Sequence, residues 1–405
     1  MKHKNIAYVY KSALINNYSQ IEYIVSTGAK KIGEEKPRVI CVVKADAYGH
    51  GDRMTAPFLE EAGADWFGVS NLGEALGIRE SGVTKPILIF GNTPAECVSD
   101  LAKWNITQTA YSLHYAKELS AEAVKLGVTL EVHLKFDTGM GRIGFVCSED
   151  NFDIAVSEAE EAAKLPNIKV TGAFTHFASA DEPNPDGESY TRLQFDRFCR
   201  VCDALKEKGI DVGIRHCCNS AAVLCYPEMH LDMVRPGIIL YGLYPASHEE
   251  VTCRLKLKPA MELRTVVSMT KDYEKGSCVS YGRRFTAPED MRIASTAIGY
   301  ADGYHRLLTN KGRMIVRGKY VPVVGSVCMD QTMLDVSAVP EAEEGDIVTV
   351  FGKEGDAFVS VDEVAALAGT INYEIICAVS RRVPRCYYLH GENIHNFDYA
   401  RWKEK

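Results

Sequence analysis

"VVKADAYGHG", residues 42–51, closes an apolar run (39–43) with a lysine and passes at once into a segment too rich in glycine and polar residues to extend a strand. An apolar run that stops and turns in this way is the strand half of a strand–helix unit. The ammonium of Lys44 has two physical explanations. Either it snorkels from the end of a buried strand to water, or it is desolvated so that its amine becomes a nucleophile. The choice depends on what the rest of the chain places beside it.

The same unit recurs. After an opening helix over 12–26, with Leu14, Ile15, Tyr18, Ile21 and Ile24 on one side, eight apolar runs follow at 39–43, 66–69, 86–90, 106–110, 129–135, 170–175, 213–217 and 231–234. Helical stretches such as 55–61, 73–80, 112–126, 152–164 and 190–208 lie between them. Eight such units predict an α/β chain whose N-terminal part, residues 1–255, is a closed (β/α)8 TIM-type barrel. An open doubly wound sheet is the alternative, but no GxGxxG follows the first run to support it. Past residue 255 the texture changes to short β-rich runs at 261–270, 278–281, 292–298, 313–316, 320–324, 332–336 and 347–351, divided by Gly, Pro and Asp. Residues 256–405 therefore read as a mainly β C-terminal domain with one helix near 361–368.

Composition narrows the class. The 405 residues are 46% hydrophobic and 25% charged, with a net charge of -8 and no basic block that would mark a nucleic-acid surface. No uninterrupted apolar stretch of signal-peptide or membrane-span length follows the N-terminus, so a cytoplasmic protein is expected. Thirteen cysteines scattered through a large chain are expected to be reduced. Cys199-x-x-Cys202 with Cys217-Cys218 could be read as a zinc site. Phe195, Phe198, Cys199, Cys202 and Leu205 share one helical face, however, which favours buried thiols acting as small apolar groups, and no metal is expected.

Catalytic groups on such barrels sit at the C-terminal ends of the strands. Lys44 and Tyr48 follow the first strand there, Lys135 ends the fifth and the 137–142 loop with Arg142 follows it, and His176 follows the sixth. Asn219 and Ser220 follow the seventh strand, and Arg235, Gly237 and Ile238 the eighth. Loops after strands seven and eight are the usual phosphate cradle of this fold, and Ser220, Gly237 and Ile238 fit it. A lysine across the mouth from a phosphate site suggests a Schiff base between Lys44 and pyridoxal phosphate, with Arg235 placed to meet the pyridine nitrogen. A permanently protonated arginine there discourages that nitrogen from taking a proton and makes the ring a weaker electron sink. Taken singly, Arg235 or Arg142 is more often a surface ion-pair partner, and His176 more often a satisfied core histidine. Their convergence at one end of the barrel is what favours a site.

These segments resemble the pyridoxal-phosphate-dependent alanine racemases. The likeness runs through 42–51 (VVKADAYGHG), 137–144 (DTGMGRIG), 175–178 (THFA), Asn219-Ser220, 234–237 (VRPG), Tyr281-Gly282, 299–303 (GYADG), 328–331 (CMDQ) and 370–374 (TINYE), in order along nearly the whole chain. It implies that Lys44 carries the cofactor and is the base on one face, with Tyr281, from the β domain of the partner subunit, the base on the other. Tyr48, Ser220, Gly237, Ile238 and Tyr373 would hold the phosphate, with Asn219 beside them, and His176 and Arg235 would flank the ring. Arg142 and Met329 would contact the substrate carboxylate, Met329 also across the interface of a head-to-tail homodimer. Inverting a centre needs donors on opposite faces, because one base mostly returns the proton to the side it came from. A free phenol titrates near ~10, so a tyrosine used as a base needs help, which His176 linked to Arg235, with His216 as a further support, would supply. Lys135 would repel Arg142 as an ammonium; in the family this lysine is typically carbamylated, giving an anion instead.

The activity so implied is racemisation of L- and D-alanine, supplying D-alanine for bacterial peptidoglycan. A serine or broader-specificity amino-acid racemase is an alternative, because pocket size turns on ~1–3 kcal/mol per methylene. A decarboxylase of the same fold would normally place an acidic residue at the ring nitrogen, and Arg235 argues against it. Cys217-Cys218 sets two thiols before Asn219, where smaller or apolar residues would serve. The polar insert 181–189 reads as a mobile loop.

Overall fold

The computed structural model describes residues 4–33, 35–182, 184–246 and 255–399. Two compact units are present: Leu14–Ala47 with Asp52–Lys258, and Met1–Ala13 with Tyr48–Gly51 and Pro259–Lys405.

The first unit holds the parallel sheet. Counting an initial strand β1 (Ile6–Tyr10) that belongs to the other unit, the eight expected strands are β2 (Arg38–Val42), β3 (Trp66–Val69), β4 (Ile87–Ile89), β5 (Ile106–Ala110), β6 (Leu130–Asp137), β8 (Ile168–Phe174), β9 (Ile214–His216) and β10 (Met233–Val234), with a short β7 (Phe145–Val146) paired to β6. Their hydrogen-bonded order is β10-β2-β3-β4-β5-β6-β8-β9. The ring closes where Asp232 N–H donates to Arg215 O (3.1 Å) and Arg235 N–H to Cys218 O (2.9 Å), joining β10 to β9. The (β/α)8 barrel and the mainly β domain expected from the sequence are both present. β3, β4 and β5 are buried at every residue: β3 and β4 carry no polar side chain, and the buried Thr107, Gln108 and Thr109 of β5 include two donors, Gln108 to Gly91 O and Thr109 to Ile89 O. Ile40, Trp66, Leu88, Phe174 and Met233, flanked by Phe90 and Ile214, pack together inside.

Helix starts follow local chemistry. Ser112 Oγ accepts from Tyr115 N–H before Leu113–Leu126, and Gly127 in the left-handed region (φ 69°) ends that helix. Residues 185–189 do not form a loop. They open the helix Pro185–Glu207, because Asn184 Oδ1 accepts Gly187 N–H (2.9 Å) and a proline at the first position is already set for helix. Pro183, within the same insert, lies outside the described residues.

The second unit is built on a ten-stranded sheet with the main order Lys319–Pro322, Arg313–Val316, Ile347–Glu354, Met261–Tyr273, β1, Arg385–Leu389 and Glu392–Phe397. β1 pairs antiparallel with Met261–Tyr273 and parallel with Arg385–Leu389. A separate two-stranded ribbon, Cys278–Val279 with Phe285–Thr286, carries Tyr281 at its turn.

Candidate active site

Lys44 stands where β2 gives way to a left-handed turn. Ala45, Asp46, Ala47 and Tyr48 all have φ between 52° and 57°. None is glycine, and this conformation costs ~1–2 kcal/mol per residue. It persists because its surroundings over-determine it. Ala47 N–H donates to Val43 O (2.9 Å), Ala45 N–H to Glu74 Oε1 (2.8 Å) and Asp52 N–H to Asp46 Oδ1 (3.2 Å). Glu74 Oε2 also accepts Ser70 N–H (2.7 Å), so one carboxylate ties the loops after β2 and β3. Glu74 belongs to none of the motifs that mark the site in the sequence.

Arg235 follows β10 and is buried, 4% exposed. Its Nη2 donates to Thr175 O (2.7 Å) and Cys217 O (2.8 Å) and lies 3.4 Å from His176 Nδ1, while Nη1 lies 2.9 Å from His216 Nδ1. No carboxylate is among these partners. Burial lowers the guanidinium to about 10, which still leaves it protonated at neutral pH. Burial, then the charge of Arg235, pushes His176 and His216 well below the ordinary histidine range, so both are neutral acceptors. His216 stacks on Phe174 at 4.8 Å and 5°, and it bonds onward to His133 (Nε2 to Nδ1, 2.9 Å), which lies in no sequence motif of the site.

On the neighbouring strands, Lys135 is 2% exposed, with Nζ donating to Phe136 O (2.6 Å). Burial brings its amine down to about 7, with Asp137 opposing and Arg235 and Arg142 adding to the shift. The following loop is wrapped on Asp137: Oδ1 accepts Gly139 and Gly141 N–H and Oδ2 accepts Arg142 N–H, all at 3.0 Å. Burial works to raise that carboxyl, but these bonds and Lys135 outweigh it and hold it below the usual range. Gly144 is required where it stands, since its φ is 130° and a Cβ would lie 2.6 Å from Asp137 N. Tyr190 Oη donates to Gly139 O (2.7 Å), and Gln194 Nε2 donates to His176 O (3.1 Å). The helix Pro185–Glu207 thus braces both loops.

Asn219 caps the short helix Ser220–Cys225 through Ala222 N–H (3.0 Å), and Ser220 Oγ accepts Gly237 N–H (2.8 Å). Ser220 and Ile238 each begin a helical segment, so their N–H groups have no carbonyl one turn earlier. The barrel unit therefore brings together Lys44, Lys135, Arg142, His176, Asn219, Ser220, Arg235, Gly237 and Ile238 at the C-terminal ends of its strands.

The remaining expected residues lie in the other unit. Tyr48 is buried, with its ring 6.1 Å from that of Tyr373. Tyr281 is 73% exposed and Met329 53% exposed. Their backbones are pinned: Ser326 Oγ donates to Tyr281 O (2.8 Å), and Ala301 N–H to Met329 O (3.0 Å). Gly299 admits this second contact, because a Cβ there would lie 2.3 Å from Cys328 O and 2.4 Å from Met329 O.

Comparison with known proteins decides the family. The alanine racemase N-terminal domain matches residues 12–245 and the alanine racemase C-terminal domain residues 260–387. The chain belongs to the alanine racemase family. It is 45% identical over 379 residues to an alanine racemase of Clostridium tetani, covering 93% of this chain and 94% of that one. It is 44% identical over 378 residues to one from Methanococcus maripaludis, covering 93% and 96%. A solved alanine racemase of Clostridium difficile superposes with a TM-score of 0.88 at 38% identity over 98% of this chain and 99% of that one. The Bacillus anthracis alanine racemase with bound L-Ala-P gives 0.88 at 35% identity, covering 98% of each chain. Members of the alanine racemase family thus share both units of this fold. Among the described residues, no helix is long and apolar enough to cross a membrane.

Proposed function

We propose that this protein interconverts L- and D-alanine by a two-base mechanism with pyridoxal phosphate as cofactor. The observation that carries the reading is Arg235, a buried donor-only group whose partners are two backbone carbonyls and two neutral imidazoles. The donor set suits the cofactor: Lys44 for its aldehyde, Arg235 for the ring nitrogen, and Ser220, Gly237 and Ile238 with Tyr48 and Tyr373 for its phosphate. Asn219 holds the start of the Ser220 helix in place. When bound, the cofactor withdraws electrons from the amino acid and makes its Cα proton acidic.

The side chains do the rest. Lys44 exchanges the proton on one face of Cα, and Tyr281 of the partner subunit exchanges it on the other. Arg235 donates to His176 Nδ1, so the proton of that neutral imidazole sits on Nε2, where it can stabilise the phenolate that Tyr281 needs as a base. Arg142 and Met329 of the partner subunit hold the substrate carboxylate. An amine at about 7 is largely neutral at slightly alkaline pH, and the neutral amine is the form that adds carbon dioxide; Lys135 as a carbamate would attract Arg142 instead of repelling it. The high exposure of Tyr281 and Met329 in a single chain supports a homodimer that covers them. Such an enzyme acts in the cytoplasm and feeds D-alanine to wall synthesis. Loading the purified protein with pyridoxal phosphate and following optical rotation of L-alanine, then L-serine, tests the reading. Loss of rotation with alanine is expected, while a colourless, inert protein or faster loss with serine would refute it.

A further inference from the structure

Arg235 Nη1, His216 and His133 form a line of two hydrogen bonds, each 2.9 Å, running from the barrel mouth into its apolar interior. A guanidinium only donates, so the direction of the line is forced. His216 accepts at Nδ1 and carries its proton on Nε2. That N–H donates to His133 Nδ1, so the proton of His133 is on its own Nε2. This last nitrogen is buried with no partner among the described residues. An unpaired buried N–H is costly, so a residue serving only to fill space here would be apolar.

The surroundings are cut to fit the imidazole. The pairing of β6 with β8 slips register between Val132 and His133, which re-aims the side chain. A Cβ on Gly172 would lie 2.5 Å from His133 Cε1 and Nε2 and 2.6 Å from Cδ2. Gly172 needs no special φ, so it is there to make room for the ring. Trp66 covers another side, its ring 5.4 Å away.

We propose that His133 is a positioning residue for Arg235: by accepting the His216 Nε2–H it holds His216 Nδ1 as the fixed acceptor of Arg235 Nη1. This rests on the reading that Arg235 meets the cofactor ring. Burial, then Arg235, lowers His133 to about 3, so it never becomes a cation that would reverse the line. An imidazole that donates at one nitrogen is a stronger acceptor at the other, so His133 tightens the bond to Arg235. Without an acceptor at this position the His216 ring turns to relieve its stranded N–H, and Nδ1 leaves Arg235.

Asparagine and leucine separate this role from packing. Both are close in shape to the inner half of the imidazole, but only asparagine keeps an acceptor at the place of Nδ1. His133→Leu is expected to weaken pyridoxal phosphate binding ~10-fold and to move the pH midpoint of the bound cofactor's absorbance, while His133→Asn stays within ~3-fold of wild type with an unmoved midpoint. Equal behaviour of the two variants would overturn the proposal. Should the leucine variant fail to fold, nitrogen-15 NMR of histidine-labelled full-length protein without cofactor decides. Neutral rings with the proton on Nε2 are expected for both His133 and His216; a proton on Nδ1 of either would overturn the proposal. That measurement does not depend on racemase activity, so its failure is distinct from failure of the functional reading.

Discussion

Lys135→Met tests whether burial, and not an ordinary ion pair, sets the state of the amine beside Arg142. In the folded chain that amine titrates at about 7, against an ordinary value of 10.5. Below about pH 7 both folded and unfolded chains hold the proton, so the cost of burying it is full and constant. Between about 7 and 10.5 only the unfolded chain holds it, and stability climbs with pH. The slope is at most ~1.4 kcal/mol per pH unit, and the full recovery is on the order of 5 kcal/mol. Urea unfolding of wild type and Lys135→Met, at several pH values from 7 to 9 in carbon-dioxide-free buffer, reads the difference directly. Wild type should gain on the variant as pH rises. Added bicarbonate should stabilise wild type alone. Parallel stability curves would refute a burial-depressed amine.

Other expectations follow from single contacts. Gly299→Ala drives a Cβ into two backbone carbonyls beside Met329, so KM for alanine should rise in steady-state assays while the fold, read by circular dichroism, is kept. Leu88→Ala empties part of the barrel interior and should cost ~2–5 kcal/mol in urea unfolding. Thiol titration should modify the exposed Cys278 and Cys377 first, whereas buried Cys217 and Cys218, whose Sγ atoms lie 3.0 and 3.1 Å from Met229 O, should react only on unfolding.

Much of the barrel was legible because parallel strands buried on both faces are rich in apolar residues, as in Arg38–Val42, Trp66–Val69 and Ile87–Ile89, and helical stretches separate them. Lys44, Arg235 and Ser220 could be placed at strand ends for that reason. β1 is not legible in the sequence: Ile6–Tyr10 pairs with segments more than 250 residues away, and nothing local announces such partners. The left-handed turn after Lys44 was equally silent, since Ala45, Asp46 and Ala47 carry none of the usual glycine signal. His133 sits in a run that reads as an ordinary strand, and only the register slip reveals which way it points. Residues 185–189 read as loop because the insert is polar and contains proline, although Asn184-Pro185 is a helix start.

Exchange of the Cα proton for deuterium, followed by proton NMR from each alanine enantiomer separately in heavy water, tests the two-base claim most directly. Wild type should exchange both enantiomers. Tyr281→Phe should lose exchange from one enantiomer and keep it from the other. Equal, mild loss from both would contradict a phenol and an amine acting on opposite faces.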